Sequence, residues 1–153
     1  MNIQYRKATI EDSSFLLSLR NQRSVRLNSR NSAEIAEFSH VSWFNQRLKE
    51  EELQGPILIF SLDNSLIGYS RIDLLNQNSA ILSIALEIEY RNMGLGRTIL
   101  ELTIGHATNS MGIKAFEALV SERNFASRRI FQICGFREMS VDQGWIRMSL
   151  QCA

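Results

Sequence analysis

Proline occurs once in this chain, at Pro56, and lysine three times, at Lys7, Lys49 and Lys114. A single proline excludes a proline-rich linker, and 44% hydrophobic with 22% charged residues is the composition of a folded chain, not of a disordered tail. No stretch approaches the ~18 unbroken apolar residues of a membrane span. The opening run Met1-Asn2-Ile3-Gln4-Tyr5-Arg6-Lys7 lacks the apolar segment of a secretory signal and alternates like a strand, which predicts a cytoplasmic protein. Cys134 and Cys152 have neither metal-site spacing nor the count of a disulfide framework, so reduced thiols and no metal are expected. A net charge of +1 gives the whole protein little attraction for nucleic acid. At 153 residues the chain can bury roughly 68–70% of its unfolded surface around one core, and a single domain over 1–153 is the expectation.

The basic residues are therefore almost all arginine, whose planar fork suits phosphate and carboxylate. They are unevenly spread. Between Asp12 and Glu34 there is no acid, yet Arg20, Arg23, Arg26 and Arg30 all fall there.

Ile3 to Ala8 reads as a strand. Thr9 with Asp12 is a capping box ahead of a first helix carrying Phe15, Leu16 and Leu19 and ending near Arg20-Asn21. The arginine-bearing segment has no period and reads as loop. Asn31 with Glu34 predicts the start of a second helix, with Ile35, Phe38, Phe44 and Leu48 as its buried stripe and His40 and Trp43 on an adjoining face. Gly55-Pro56 breaks the chain. Three strands follow, Ile57 to Leu62, Leu66 to Leu74 and Ala80 to Ile88, joined by turns short enough for antiparallel hairpins. An apolar helical pattern then runs to Gly112, followed by a strand from Ala115 to Val120, a helix from Asn124 to Cys134, and a closing hairpin through Asp142-Gln143-Gly144. The order is mixed α/β, with no repeat and no linker.

The segment with chemical content is Arg91-Asn92-Met93-Gly94-Leu95-Gly96-Arg97, between an apolar strand and an apolar helix. Glycines there let the backbone approach a ligand, and the first amides of the helix have no internal partner. Strand-loop-helix junctions of this kind attract anions, usually phosphate. A Walker loop needs a Gly-Lys-Ser/Thr ending, and the dinucleotide fingerprint needs a third glycine where this chain has Ile99.

The run Glu89-Tyr90-Arg91-Asn92-Met93-Gly94-Leu95-Gly96 resembles the pyrophosphate motif of the GNAT acetyltransferases, Gln/Arg-x-x-Gly-x-Gly/Ala. Asn124, Ser127, Phe131, Gly135 and Phe136 match the spacing of that family's Asn-x-x-Ala/Ser-x-x-x-Tyr/Phe-x-x-x-Gly-Phe helix. The resemblance implies a twisted, mostly antiparallel sheet of about seven strands with four flanking helices, strands four and five splayed around acetyl-CoA. It implies that Leu86 and Ile88 offer backbone groups to the pantetheine arm. Arg91, Asn92, Met93, Gly94, Leu95, Gly96 and Arg97 would hold the pyrophosphate, with Asn124, Ser127 and Phe131 beside the cofactor. Transfer would be direct, from thioester to a neutral amine. Phe131 stands where many relatives have a tyrosine acid and Leu82 where several have a glutamate base, so neither role carries over. Glu87, Asp73 and His40 are the remaining candidates for the proton.

On the acceptor side, Arg20, Asn21, Arg23 and Arg26, then His40, Trp43 and Phe44, with Arg71 and Asp73 on the third strand, resemble the branch that acetylates nucleotide-linked amino sugars. The nearest pattern is that of pseudaminic acid pathway N-acetyltransferases, which act on a UDP-linked 4-amino sugar. A nucleotide diphosphate asks for arginine forks, and a ring can stack on Trp43. The alternatives are acetylation of a protein N-terminus, such as a ribosomal protein's, and a non-catalytic acyl-CoA sensor. The expected partner is a small-molecule amine, with no nucleic acid and no membrane; a homodimer is left open.

Overall fold

The computed structural model describes residues 2–29 and 31–152; Arg30, one of the four clustered arginines, lies outside them. The strands are β1 (Ile3–Lys7), β2 (Ile57–Leu62), β3 (Ser65–Leu74), β4 (Ser79–Leu86), β5 (Ala115–Ser121), β6 (Arg137–Asp142) and β7 (Trp145–Gln151). The helices are α1 (Ser13–Arg20), α2 (Arg23–Leu27), α3 (Glu37–Lys49), α4 (Glu51–Gln54), α5 (Leu95–Met111) and α6 (Phe125–Ile133), with 3-10 turns at Ile10–Asp12 and Ile88–Tyr90. One sheet runs β1-β2-β3-β4-β5-β7-β6, antiparallel except between β4 and β5. The expected mixed architecture is present, with six α-helices among the described residues where four were expected. The two extra ones, α2 and α4, have five and four residues.

Alternation along the strands makes two cores. Leu58, Phe60, Ile72 and Leu82 face α5 and α6, together with Ile99, Leu100 and Phe131. Ile57, Ile59 and Tyr69 face the other way, against Leu16 and Leu19 of α1 and Phe44 of α3. The first helical segment starts as its sequence requires: the Asp12 carboxylate accepts from the Thr9 amide at 2.7 Å and from both arms of Arg6 at 2.7 and 2.8 Å. Burial works against the Asp12 anion, but Arg6 and Thr9 outweigh it and hold this carboxyl below its usual range. At the other end of the chain's longest helix, Gly112 caps α5 in the left-handed region (φ 71°).

Two expectations fail around α3. The helix begins at Glu37, not at Asn31, whose side chain instead accepts from the Ala33 amide in a local turn (3.0 Å). Ile35 thus precedes the helix, and Phe38 is 86% exposed. The buried stripe is His40, Phe44 and Arg47, at i, i+4 and i+7. Two of its three members are polar, so counting apolar letters put the stripe out of phase. Likewise Arg23 to Leu27, read as loop, is a short helix with no buried residue.

Gly55 (φ 106°) fits a site that no side chain can enter, since an added Cβ would lie 1.8 Å from the Ile72 carbonyl oxygen. Gly55→Ala is expected to cost about 3 kcal/mol or more. Gly105, inside α5 with open space around its Cα, should instead gain about 0.5–1 kcal/mol on change to alanine. Urea unfolding of both variants checks the contrast.

Candidate active site

The parallel pairing of β4 with β5 lasts three residues, Ser79 to Ile81 against Ala115 to Glu117. Beyond it the strands diverge: β4 runs on to Leu86 beside β3, and β5 to Ser121 beside β7. The Glu87 amide donates to the Ile67 carbonyl at 2.8 Å, so the odd residues of this stretch bond β3. By alternation Ile84 and Leu86 turn their amides and carbonyls into the gap. Leu86, expected to offer backbone groups to the cofactor, turns them toward the gap, where its carbonyl accepts from Arg91 Nε at 3.1 Å. Ile88 does not belong with it. The strand stops at Leu86, and Ile88 sits in a 3-10 turn, 63% exposed.

The turn leads into Arg91 to Gly94, at the mouth of the gap. Asn92 (φ 62°) and Gly94 (φ 79°) are both left-handed, which folds the loop tightly against the start of α5. No atom lies within 4 Å of where a Gly94 Cβ would be. Gly96 has a different reason to be glycine: a Cβ there would come 2.7 Å from Ile130 Cδ1, so it sets the approach of α5 to α6. Leu95 is buried in the core and Met93 is half exposed. Arg97 turns outward to Glu101 (2.6 Å) on the exposed side of α5. Across the gap, Asn124 caps α6, its Oδ1 accepting from the Ser127 amide at 3.2 Å. Phe131 is 3% exposed and packs edge-on to Phe136, ring centroids 4.9 Å apart.

The other face of the sheet carries the arginines. Arg20 lies over the Trp43 ring at 4.4 Å and Arg71 at 5.6 Å, both within cation–π range. Arg71 is held by Asp73 (2.9 Å), whose other oxygen lies 2.7 Å from Arg47 Nη1 in an ion-pair contact off the hydrogen-bond line. Arg47 is buried and also donates to the carbonyls of Gly55 (2.8 Å) and Ile72 (2.9 Å). His40, 1% exposed, has both nitrogens in use. Its Nε2 is 2.9 Å from the Ser13 carbonyl, which can only accept, and its Nδ1 is 3.0 Å from Arg20 Nη1, which can only donate. The ring is therefore the neutral Nε2–H tautomer. Burial first, and the Arg20 charge second, push its pKa below the ordinary histidine value.

Arg20 differs from its neighbours. Burial lowers its pKa, and the titratable groups acting on it are Tyr69 and Arg71, with no carboxylate among them. For Arg71, burial also lowers the pKa, but Asp73 outweighs it. The Nε atoms of Arg71 and Arg26 are buried without a hydrogen-bond partner. Arg23 is exposed. Asn21 holds the chain ahead of α3 by a two-way bond with Ile35, at 2.9 and 2.7 Å. Glu87 follows Leu86 and lies on this face, its carboxylate accepting from Gln22 Nε2.

Three residues here escaped the sequence reading: Arg47, Gln22 and Ser24. Arg47 was visible as the i+7 partner of His40 and i+3 partner of Phe44. Tyr69 is buried beside both Arg20 and Arg71, and burial raises its phenol above the usual value. Gln22 and Ser24 had no signal in sequence, since their partners Glu87 and Arg91 lie 65 and 67 residues away.

Residues 2–137 match the sequence model of the Acetyltransferase (GNAT) domain. The chain belongs to the GNAT acetyltransferase family. Solved structures agree in fold at low identity. The spermidine N-acetyltransferase of Vibrio cholerae, solved with CoA and spermine, is 16% identical with a TM-score of 0.85, over 97% of this chain and 95% of that one. A phosphinothricin acetyltransferase of Sinorhizobium meliloti, solved with acetyl-CoA, is 17% identical with a TM-score of 0.81, over 100% and 90%. The ribosomal-protein-alanine N-acetyltransferase of Brucella melitensis is 21% identical with a TM-score of 0.78, over 97% and 99%. No curated protein sequence matches the chain. The protein is thus an acetyl-CoA-dependent N-acetyltransferase.

The residues present fit that cofactor. Gap-facing backbone groups on Ile84 and Leu86, open space at Gly94 and the unpartnered first amides of α5 are what an amide-rich arm ending in a pyrophosphate requires.

Two outcomes follow. Gly94→Val fills the open space with a branched side chain at a strain cost of about 1–3 kcal/mol, leaving a folded protein that no longer binds coenzyme A by calorimetry. For His40, a lowered folded pKa means that the unfolded chain binds the proton first as pH falls. Stability is then level above about pH 6.5 and declines below it. His106, also lowered by burial, contributes in the same direction. His40→Gln should show the shallower acid decline of His106 alone in urea titrations between about pH 7 and 5.

Proposed function

We propose that the acceptor is the amino group of a nucleotide-linked amino sugar, with Arg20 and Arg71 binding its diphosphate. The observation that carries this reading is the pair of guanidiniums braced on Trp43, one of them without a carboxylate partner. Such a site is short of negative charge, which an anionic acceptor brings and a polyamine does not. With Arg20 on its ring, Trp43 acts as a brace for the guanidinium.

Bound acetyl-CoA supplies an acetyl group activated as a thioester. Arg91, Asn92, Met93 and Gly94, with the first amides of α5 at Leu95, Gly96 and Arg97, hold its pyrophosphate in this reading. The amides of Ile84 and Leu86 polarise the carbonyl within the gap. Asn124, with one amide oxygen given to the α6 cap, keeps its NH₂ for the cofactor, and Ser127 and Phe131 wall the same end. Glu87 takes the proton from the amine: Asp73 has both oxygens against arginines and His40 has both nitrogens bonded, whereas a carboxylate accepting from Gln22 retains open lone pairs. His40 instead positions Arg20.

A charge-assisted hydrogen bond to phosphate contributes about 1.5–3 kcal/mol. Arg20→Ala or Arg71→Ala should therefore raise the acceptor KM about tenfold to a hundredfold, with acetyl-CoA affinity unchanged and the effect shrinking as salt is added. Thiol release is measured with UDP-linked amino sugars, peptides with a free N-terminal alanine, and spermidine. Turnover of peptides or spermidine alone would overturn the sugar-nucleotide reading.

A further inference from the structure

The helix α2 has little to hold it in place. It is five residues long, buries none of them, and has no side-chain N-cap. Alone, so short a helix does not persist, because nucleation costs more than one turn returns. Val25 packs partly against the α1–α3 core. The remaining ties run to the segment after β4: Gln22 Nε2 donates to the Glu87 carboxylate, and Arg91 Nη1 donates to Ser24 Oγ at 2.9 Å. Arg91 simultaneously holds the Leu86 carbonyl through Nε. One guanidinium thus spans from the gap between β4 and β5 to α2. The two tied residues, Gln22 and Ser24, flank Arg23 and lie one turn or less from Arg26, so whatever fixes the ties fixes the two arginines of α2.

We propose that Gln22 and Ser24 are positioning residues that couple occupancy of the cofactor loop to the order of α2 and its arginines, Arg23 and Arg26. A ligand that immobilises Arg91 to Gly94 immobilises the Arg91 side chain, and through Ser24 it stabilises α2. This rests on the assignment of Arg91 to Gly94 to the cofactor. Coupling of this kind is a shared free energy between two segments and needs no contact between ligand and α2.

Hydrogen exchange with coenzyme A alone tests it, with no acceptor required. In the wild-type protein, coenzyme A should slow exchange of the first amides of α5 and also of Arg26, Asn28 and Ser29, each by about fivefold or more. In Ser24→Ala the α5 amides should remain protected, and by reciprocity the calorimetric affinity should weaken by no more than about the fivefold coupling itself. The coenzyme A-dependent slowing in α2 should fall below about twofold, and Ser24→Thr, which keeps the hydroxyl, should restore it. Gln22→Ala should act in the same sense. A purely structural serine would loosen α2 equally with and without coenzyme A, which overturns the proposal, as does equal α2 protection in Ser24→Ala and wild type. If coenzyme A binds without protecting the α5 amides, the loop assignment itself is wrong and the coupling falls with it.

Discussion

The site depends on one constraint: β5 leaves β4 after three paired residues. The divergence leaves β5 anchored on its far side, where all seven of its residues pair with β7 and satisfy the backbone groups that point that way. On the other side, β4 pairs with β3 through Leu86. The unpaired groups are therefore confined to the facing edges, where Ile84 and Leu86 open into the gap. The connection between the two strands is α5, and its first turn starts at the mouth of that gap. Strand edge and helix N-terminus converge because the chain must cross from one strand to the other there.

The acceptor face depends on buried charge held in sequence from Arg47 outward. A buried guanidinium needs compensation, and Arg47 finds it in hydrogen bonds to two carbonyls and an ion pair with Asp73. Asp73 passes the restraint to Arg71, Arg71 shares Trp43 with Arg20, and Arg20 ends on His40. At each step but the last, cation meets anion or aromatic ring. At the last it meets a neutral imidazole whose tautomer is set by the Ser13 carbonyl. The chain of contacts thus begins with compensated charge and ends with a cation that no described carboxylate balances.

Much of this was legible wherever the signal was local. Thr9 with Asp12, Gly112, and the Gly94 loop each state a backbone requirement within a few residues, and each is met in place. The start of α3 was misread because Asn31 and Glu34 also satisfy a turn, and Asn31 uses its side chain there. Phe38 was placed inside because it is apolar, whereas the helix phase is set by His40 and Arg47, whose burial rests on hydrogen bonds that a sequence does not display. The expected strand to Ile88 ran too long because nothing in Glu87-Ile88-Glu89 marks the turn. The ties from Gln22 and Ser24 join segments far apart in sequence, beyond the reach of any periodicity.

In the proposed reading, two adjacent residues let the sheet bring two ligands together without either crossing it. Leu86 packs toward α5, and Glu87, one residue on, lies with the arginines on the opposite face, bonded to Gln22. In an intact sheet those faces are separated by a continuous layer of backbone. Here the layer is open beside Leu86, so the backbone groups assigned to the cofactor and the carboxylate proposed to face the acceptor are consecutive in the chain. Mechanical linkage between the two sides then costs no extra structure. Arg91, a single turn downstream, reaches the Leu86 carbonyl with one nitrogen and Ser24 with another, and the same opening that admits the ligand gives the acceptor segment its attachment.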